Sequence, residues 1–415
     1  MFVGMNKQTV YFCSLFLLFT IKSTMKSKFE CSAINTSEEV KQVATILEQC
    51  FITSPGEEEI YVNSIGLNNF RVIRQGKEII GGLATISQGQ WWGGQCVSMT
   101  GIGGVGIAPE YRGSGAALHM MQHTVKEIHA SGVAISALYP ATQKLYRKVG
   151  YEQAGSFCSW EIPTESIQIK EKSLPVISVP NDSEVFYDLY SKQARQIDGY
   201  LDRNPVIWKF IFKPDEQERF YSYAIGSVED PQGYIIFSQH RMQNDSILRI
   251  KDWVVLTPAA AQTFWSFLFR HSSQIDKVRW RGSVVDPLTL LLPEQAAKLR
   301  HSERWMLRIV DVIKALSLRG YHPNLKAELH LEIEDDLILD NSGKFILTVA
   351  DGRGKVIKGG RGELKLHISA LAPLYSGLYS PQQLQIAGKI SAPEGAIFAA
   401  TQLFPSVSPW MPDFF

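Results

Sequence analysis

The chain has no Cys-x-x-Cys pair and only five cysteines in 415 residues. An odd, scattered set of thiols argues against a disulfide framework and for reduced cysteines in a cytoplasmic protein. Excess charge is missing too: a formal net charge of +1 gives no general electrostatic grip on nucleic acid. No apolar run is long enough to span a bilayer. The Gly-x-Ser-x-Gly elbow of serine hydrolases is absent, as is the Gly-Lys-Ser/Thr ending of a Walker loop. Gly101-x-Gly103 and Gly113-x-Gly115 both lack the third glycine of a dinucleotide fingerprint. Nine histidines are dispersed. His119 and His123 lie one helical turn apart, but no Glu follows His119 and Lys126 shares their face, so they read as a solvated face and no metal is expected.

The N-terminus carries one apolar stretch, Tyr11 to Ile21 behind Lys7, of signal-peptide length but without a clean small-x-small cleavage site. Met25 offers a second start. Residues 1–24 are therefore read as an extension; as a true leader they would make the protein secreted or membrane-anchored.

What is present centres on 101–151. The length alone predicts two or three domains. A glycine-spaced apolar run from Gly101 breaks at Pro109 and passes through Glu110-Tyr111-Arg112-Gly113-Ser114-Gly115 into a helix, with Leu118, Met121, Val125 and Ile128 on its buried face. Gly132 ends that helix. Val133–Leu138 reads as a strand and Thr142–Lys148 as a short helix. A strand, a glycine turn and a helix N-terminus together form an anion site, because unpaired backbone N–H groups and the positive end of the helix dipole converge there.

The order Val-Gly-Ile-Ala-Pro-Glu-Tyr-Arg-Gly-Ser-Gly, helix, strand, then Leu145-Tyr146-Arg147-Lys148-Val149-Gly150-Tyr151 resembles a GNAT-type (Gcn5-related) N-acetyltransferase. The resemblance implies that acetyl-CoA is the co-substrate, held by Arg112, Gly113, Ser114, Gly115 and Ala117. It also implies oxyanion stabilisation by the backbone N–H groups of Val105 and Ile107, and Tyr146 as the acid that protonates the leaving thiolate.

Along the rest of the chain the pattern is α/β. A helix is expected from about Ser37 to Cys50, a loop from Ile52 to Glu59 carrying Glu57-Glu58-Glu59, and strands at Asn69–Arg74 and Glu78–Ser87. Gln88 to Gln95, with Trp91-Trp92-Gly93-Gly94, is read as a further loop. A second copy follows: Val254-Val255-Leu256-Thr257-Pro258 and its helix echo Val105 to Pro109, but Ala261-Gln262-Thr263-Phe264 replaces the phosphate turn. From about Arg304 the character changes, with Trp305 to Asp311 leading a helix to Arg319 and alternating strands beyond it.

An intact acetyltransferase module, a degenerate copy and a sterol-carrier-like tail together resemble the Eis (enhanced intracellular survival) acetyltransferases. The implied units are 25–163, 164–302 and 303–415. The resemblance further implies a homohexamer and a C-terminus that enters the active site, with the carboxylate of Phe415 as base. The expected function is acetyl transfer to a primary amine of an aminoglycoside, polyamine or lysine-type acceptor, by direct attack in a ternary complex. The alternative is a lipid-binding or scaffold protein with a vestigial acetyltransferase fold.

Overall fold

The computed structural model describes residues 28–212, 218–243 and 245–415; the reading of residues 1–24 lies outside them. The first unit runs β1 (Glu30–Ala33), α1 (Ser37–Phe51), α2 (Glu57–Ile65), β2 (Phe70–Gln75), β3 (Glu78–Trp92), β4 (Gln95–Ile107), α3 (Ala116–Ala130), β5 (Ile135–Leu138), α4 (Gln143–Arg147) and β6 (Glu152–Pro163). Helix α1 begins where the Thr36 hydroxyl accepts from the Glu39 amide at 3.2 Å, satisfying a donor that the first turn leaves unpaired. It buries Val40, Val43, Ala44 and Leu47.

The second unit comprises β7 (Val176–Ser178), α5 (Val185–Ala194), β8 (Leu201–Asp202), α6 (Pro205–Ile211), β9 (Phe220–Gly226), β10 (Pro231–Arg241), β11 (Ser246–Val255), α7 (Pro258–Phe269), β12 (Lys277–Gly282) and β13 (Lys298–Ile309). All these strands form one 13-stranded sheet in the order β1-β2-β3-β4-β5-β13-β6-β12-β11-β10-β9-β7, with β8 on β3. Strand β13 is thus built into the first unit. It pairs with β5 from Ile309↔Ile135 to Met306↔Leu138 and with β6 along its other edge. It also runs unbroken across 302/303. The expected helix through Trp305–Ile309 is a strand, because these residues are buried on both faces, Arg308 included through its ion pair with Asp335, and a short buried run carries no periodicity that separates helix from strand. The helix, α8 (Val312–Leu318), starts later, capped by the Asp311 carboxylate.

The C-terminal unit adds a five-stranded sheet of β14 (Ala327–Glu334), β15 (Gly343–Ala350), β16 (Arg353–Lys358), β17 (Leu364–His367) and β18 (Ile390–Ser391), with α9 (Ile368–Ser376), α10 (Pro381–Ile386) and α11 (Glu394–Leu403). Among the described residues no helix is long and apolar enough to cross a membrane.

The loop expected at 88–95 is instead the tip of a β3–β4 hairpin. Gly93 and Gly94 have φ of 56° and 75°, the two left-handed residues that a two-residue hairpin turn requires. The arm carries Trp92 into the junction of the three units, against the rings of Trp305 and Tyr375 at 6.2 and 5.3 Å. The expected loop at 52–59 likewise ends early: Ile52 closes α1 in the left-handed conformation, and Glu57 already opens α2 with three acidic side chains at the positive end of the helix.

Candidate active site

Strand β4 accompanies β5 only from Met99↔Ile135 to Ile102↔Leu138, yet continues to Ile107. From Gly103 onward it has no strand partner on that side among the described residues, which opens a wedge between the two parallel strands. Val105 and Ile107 lie on this free stretch. Beyond it, Gly113 and Gly115 take φ of 77° and 91°, so the chain turns sharply into α3, whose N-cap Gly115 offers no side chain, although the Ser114 hydroxyl accepts from the Ala116 amide at 3.3 Å. The Ser114 hydroxyl donates to the Tyr111 carbonyl at 2.6 Å and the Tyr111 phenol to Glu78 at 2.6 Å, fixing the turn. In the second unit the Thr257 hydroxyl occupies the amide of Ala260 at the start of α7. The glycine-led start of α3 thus leaves more of its amides to an anion than the start of α7, which has Pro258 and a capping Thr257.

The open turn forms the floor of a cleft of about 390 Å³ lined by Ile107, Arg112, Gly113, Gly115, Ala117 and residues of α4. Lys144, on α4, and Lys148, the residue that caps its end, also line it, one helical turn apart. With Arg112 they set three cations around a phosphate-sized floor. Glycines that a Cβ would leave in open space and this donor set suit a pyrophosphate.

Tyr146, on α4, is 4% exposed and packs in one cluster with Ile107, Ala116 and Val149. Burial pushes its phenol up to about 12. Tyr151 packs behind it, with its phenol 2.7 Å from the Ser136 hydroxyl.

The chain end reaches the wedge. Residues 409–413 are held in succession: the Ser156 amide donates to the Pro409 carbonyl at 2.9 Å, Met411 N to Ser156 O at 3.2 Å, Arg281 Nη1 to Pro412 O at 2.9 Å, and the Tyr139 phenol to Asp413 O at 2.7 Å. Asp413 meets Arg203 Nε at 2.9 Å, and the same guanidinium grips both oxygens of Asp252 at 2.6 and 2.9 Å. These side chains are at most 3% exposed. Burial pushes the Asp413 carboxyl up, against the pull of Arg203. Phe415, 7% exposed, then lies on the glycines of β4. A Cβ on Gly101 would come within 2.5 Å of its ring, and one on Gly103 would meet the Tyr61 hydroxyl at 2.7 Å and the Phe415 carboxyl carbon at 3.0 Å. These glycines therefore leave room for Phe415.

In front of Phe415 is a second cavity of about 350 Å³, lined by Phe51, Glu57, Glu58, Tyr61, Phe210 and Phe414 among others. Burial, and after it the Glu58 carboxylate, push the Tyr61 phenol up. In the sequence Glu57-Glu58-Glu59 reads either as a solvated acidic loop or as an attractor for a polycationic acceptor. Their position against the terminal residue depends on α2, which was not foreseen.

Two acetyltransferase (GNAT) domain profiles match residues 34–154 and 199–309, and a sterol carrier protein domain matches 312–412. A GCN5-related N-acetyltransferase of known structure from Anabaena variabilis is 56% identical and superimposes with a TM-score of 0.92, over 93% of this chain and 100% of that one. This chain belongs to the GCN5-related N-acetyltransferase family. An uncharacterised N-acetyltransferase from Streptomyces griseus is 25% identical over 78% of this chain and 83% of its own length. The fold, at 20% identity, is also that of Eis1 from Mycobacterium abscessus, with a TM-score of 0.79 over 93% of this chain and all of that one. The acetyltransferase thus has the tandem order expected, two GNAT domains and then a sterol carrier domain. GNAT domains use acetyl-CoA in general, and the capped start of α7 accords with a degenerate second copy.

Proposed function

We propose that the acetyltransferase transfers the acetyl group of acetyl-CoA to a primary amine of an aminoglycoside, polyamine or lysine-type acceptor, by direct attack in a ternary complex. Acetyl-CoA, as co-substrate, supplies the activated acyl thioester. Arg112, Gly113, Ser114, Gly115 and Ala117 hold its phosphates, with Lys144 and Lys148 as further cations. The acceptor enters the cavity beside Phe415, where Glu57 and Glu58 attract a cationic amine. An ammonium near the lysine value of about 10.4 must lose a proton before it can attack, and the Phe415 carboxylate takes it, directly or through a water. Backbone N–H groups of Val105 and Ile107 stabilise negative charge on the carbonyl oxygen as the carbon–nitrogen bond forms. The carbon–sulfur bond then breaks and Tyr146 gives its phenolic proton to the sulfur.

The single observation supporting this assignment is the Phe415 carboxyl seated against Gly103, where β4 leaves β5. Gly103→Ala, whose methyl would press on the Tyr61 hydroxyl and on this carboxyl, is expected to dislodge it. With a displacement near 1 Å costing about 10²-fold, kcat should fall by that order while the KM for acetyl-CoA and the melting temperature stay close to wild type.

From the family resemblance we also propose a homohexamer, which light scattering on the purified chain would check, and from the scattered cysteines a cytoplasmic location. The deciding experiment is coenzyme A release, with an untagged C-terminus, across aminoglycosides, polyamines and lysine peptides. Acceptor-dependent release is expected. Silence together with no calorimetric binding of acetyl-CoA would replace this reading with a lipid-binding or scaffold role.

A further inference from the structure

The second unit has its own parting of parallel strands, with a quite different lining. β11 and β12 pair only from Ile247↔Lys277 to Arg249↔Arg279. At that end lies a cleft of about 290 Å³ whose walls include Arg249, Lys251, Arg279, Arg281, Arg300 and Phe157. Five cationic side chains converge here in a protein with a net charge of only +1.

Their partners do not neutralise them. Glu161 serves both Arg279 at 2.7 Å and Arg300 at 3.4 Å, and Glu218 takes Lys251 at 2.8 Å. Arg281 lies 5.1 Å from the Phe157 ring centre and donates to a carbonyl, Pro412 O. Burial pulls its guanidinium below the usual range, against the opposing pull of the Asp413 and Asp252 carboxylates. Arg249 has no ion-pair partner among the described residues. Among the described residues, Glu161 and Glu218 are the carboxylates paired with these cations, while Asp413 and Asp252, which also act on Arg281, are already engaged by Arg203; cations gathered around one cleft repel unless an anion joins them.

We propose that this cleft binds a small phosphate-type oxyanion carrying two or more negative charges. Guanidinium groups present paired N–H donors that match such oxygens, and several converge here from β11, β12 and β13. An amine acceptor would be repelled, so the cleft is no second acceptor site. Nor is it a relic of the coenzyme floor, which in this unit has lost its glycines and has its helix capped. The same Arg281 that faces the cleft also holds Pro412, so a bound anion would touch the anchor of the terminal segment.

The probe is inorganic pyrophosphate, titrated calorimetrically into the full chain at low ionic strength with coenzyme A saturating the Gly113–Gly115 cleft. One pyrophosphate per chain is expected. In the double variant Arg249→Ala, Arg300→Ala, the Kd should rise at least tenfold with an unchanged melting temperature. Arg249→Gln alone should raise it several-fold, which guards against misfolding of the double variant. No heat beyond the coenzyme-saturated background, or equal binding by wild type and both variants, would overturn the proposal. Because the readout is loss on removing Arg249 and Arg300, it stands apart from whether acetyl transfer is found.

Discussion

Replacing Tyr146 by Phe is expected to lower kcat by about 10²–10⁴-fold, the range over which a positioned proton donor acts. The affinity for acetyl-CoA should be unchanged, because no polar contact of the phenol supports the coenzyme floor. Burial holds this phenol near 12, so it keeps its proton at physiological pH and is present as a donor to the sulfur as the carbon–sulfur bond breaks. The sign of the pH dependence follows. Wild-type kcat/KM should rise with pH as the acceptor amine loses its proton, with no falling limb from Tyr146 until pH approaches about 12. A Tyr146→Phe enzyme with wild-type kcat would show that another group protonates the sulfur.

Arg203→Ala should have the largest effect on stability. The substitution leaves Asp252 and Asp413 buried beside one another without their shared cation. Removing one partner of a buried ion pair costs about 3–5 kcal/mol. Burial already works against the Asp413 carboxylate, so the terminal segment should be released preferentially. Urea unfolding would give the loss of stability. Limited proteolysis should cut near Pro409–Asp413 in the variant but not in wild type, and acetyl transfer should fall in parallel. A variant with wild-type stability and a protected tail would mean that the hydrogen bonds of Pro409, Met411 and Pro412 suffice without Arg203.

Local signals were legible where the chemistry is local. The turn from Arg112 to Gly115, the helix after it and the register of Tyr146 all sit within one short stretch. There the glycine positions, the period of Met121, Val125 and Ile128, and the helix start state the same thing. The duplication was legible for the same reason, since Val254–Pro258 repeats a local pattern. What escaped was non-local or lacked periodicity. Trp305–Ile309 is buried on both faces and looks the same as helix or strand. Arg203 and Asp413 lie 210 residues apart, and nothing in either neighbourhood names the other. Helix α2 was missed because Glu57-Glu58-Glu59 resembles a solvated loop, whereas Gly56 and the helix dipole make it a first turn. Lys144 and Lys148 became visible as a pair only once α4 was seen to face the turn after β4.

The insertion of β13 has a consequence for how the molecule comes into being. During synthesis the ribosome releases β5 and β6 long before the strand that belongs between them. The amino-terminal half must therefore wait with an open seam until Ile309 has emerged. Long-range strand pairing of this kind is slow and leaves edges exposed to wrong partners. A gene cut between the two halves would strand each product with an unfinished sheet, so the duplicated halves, once interleaved, can no longer be inherited apart.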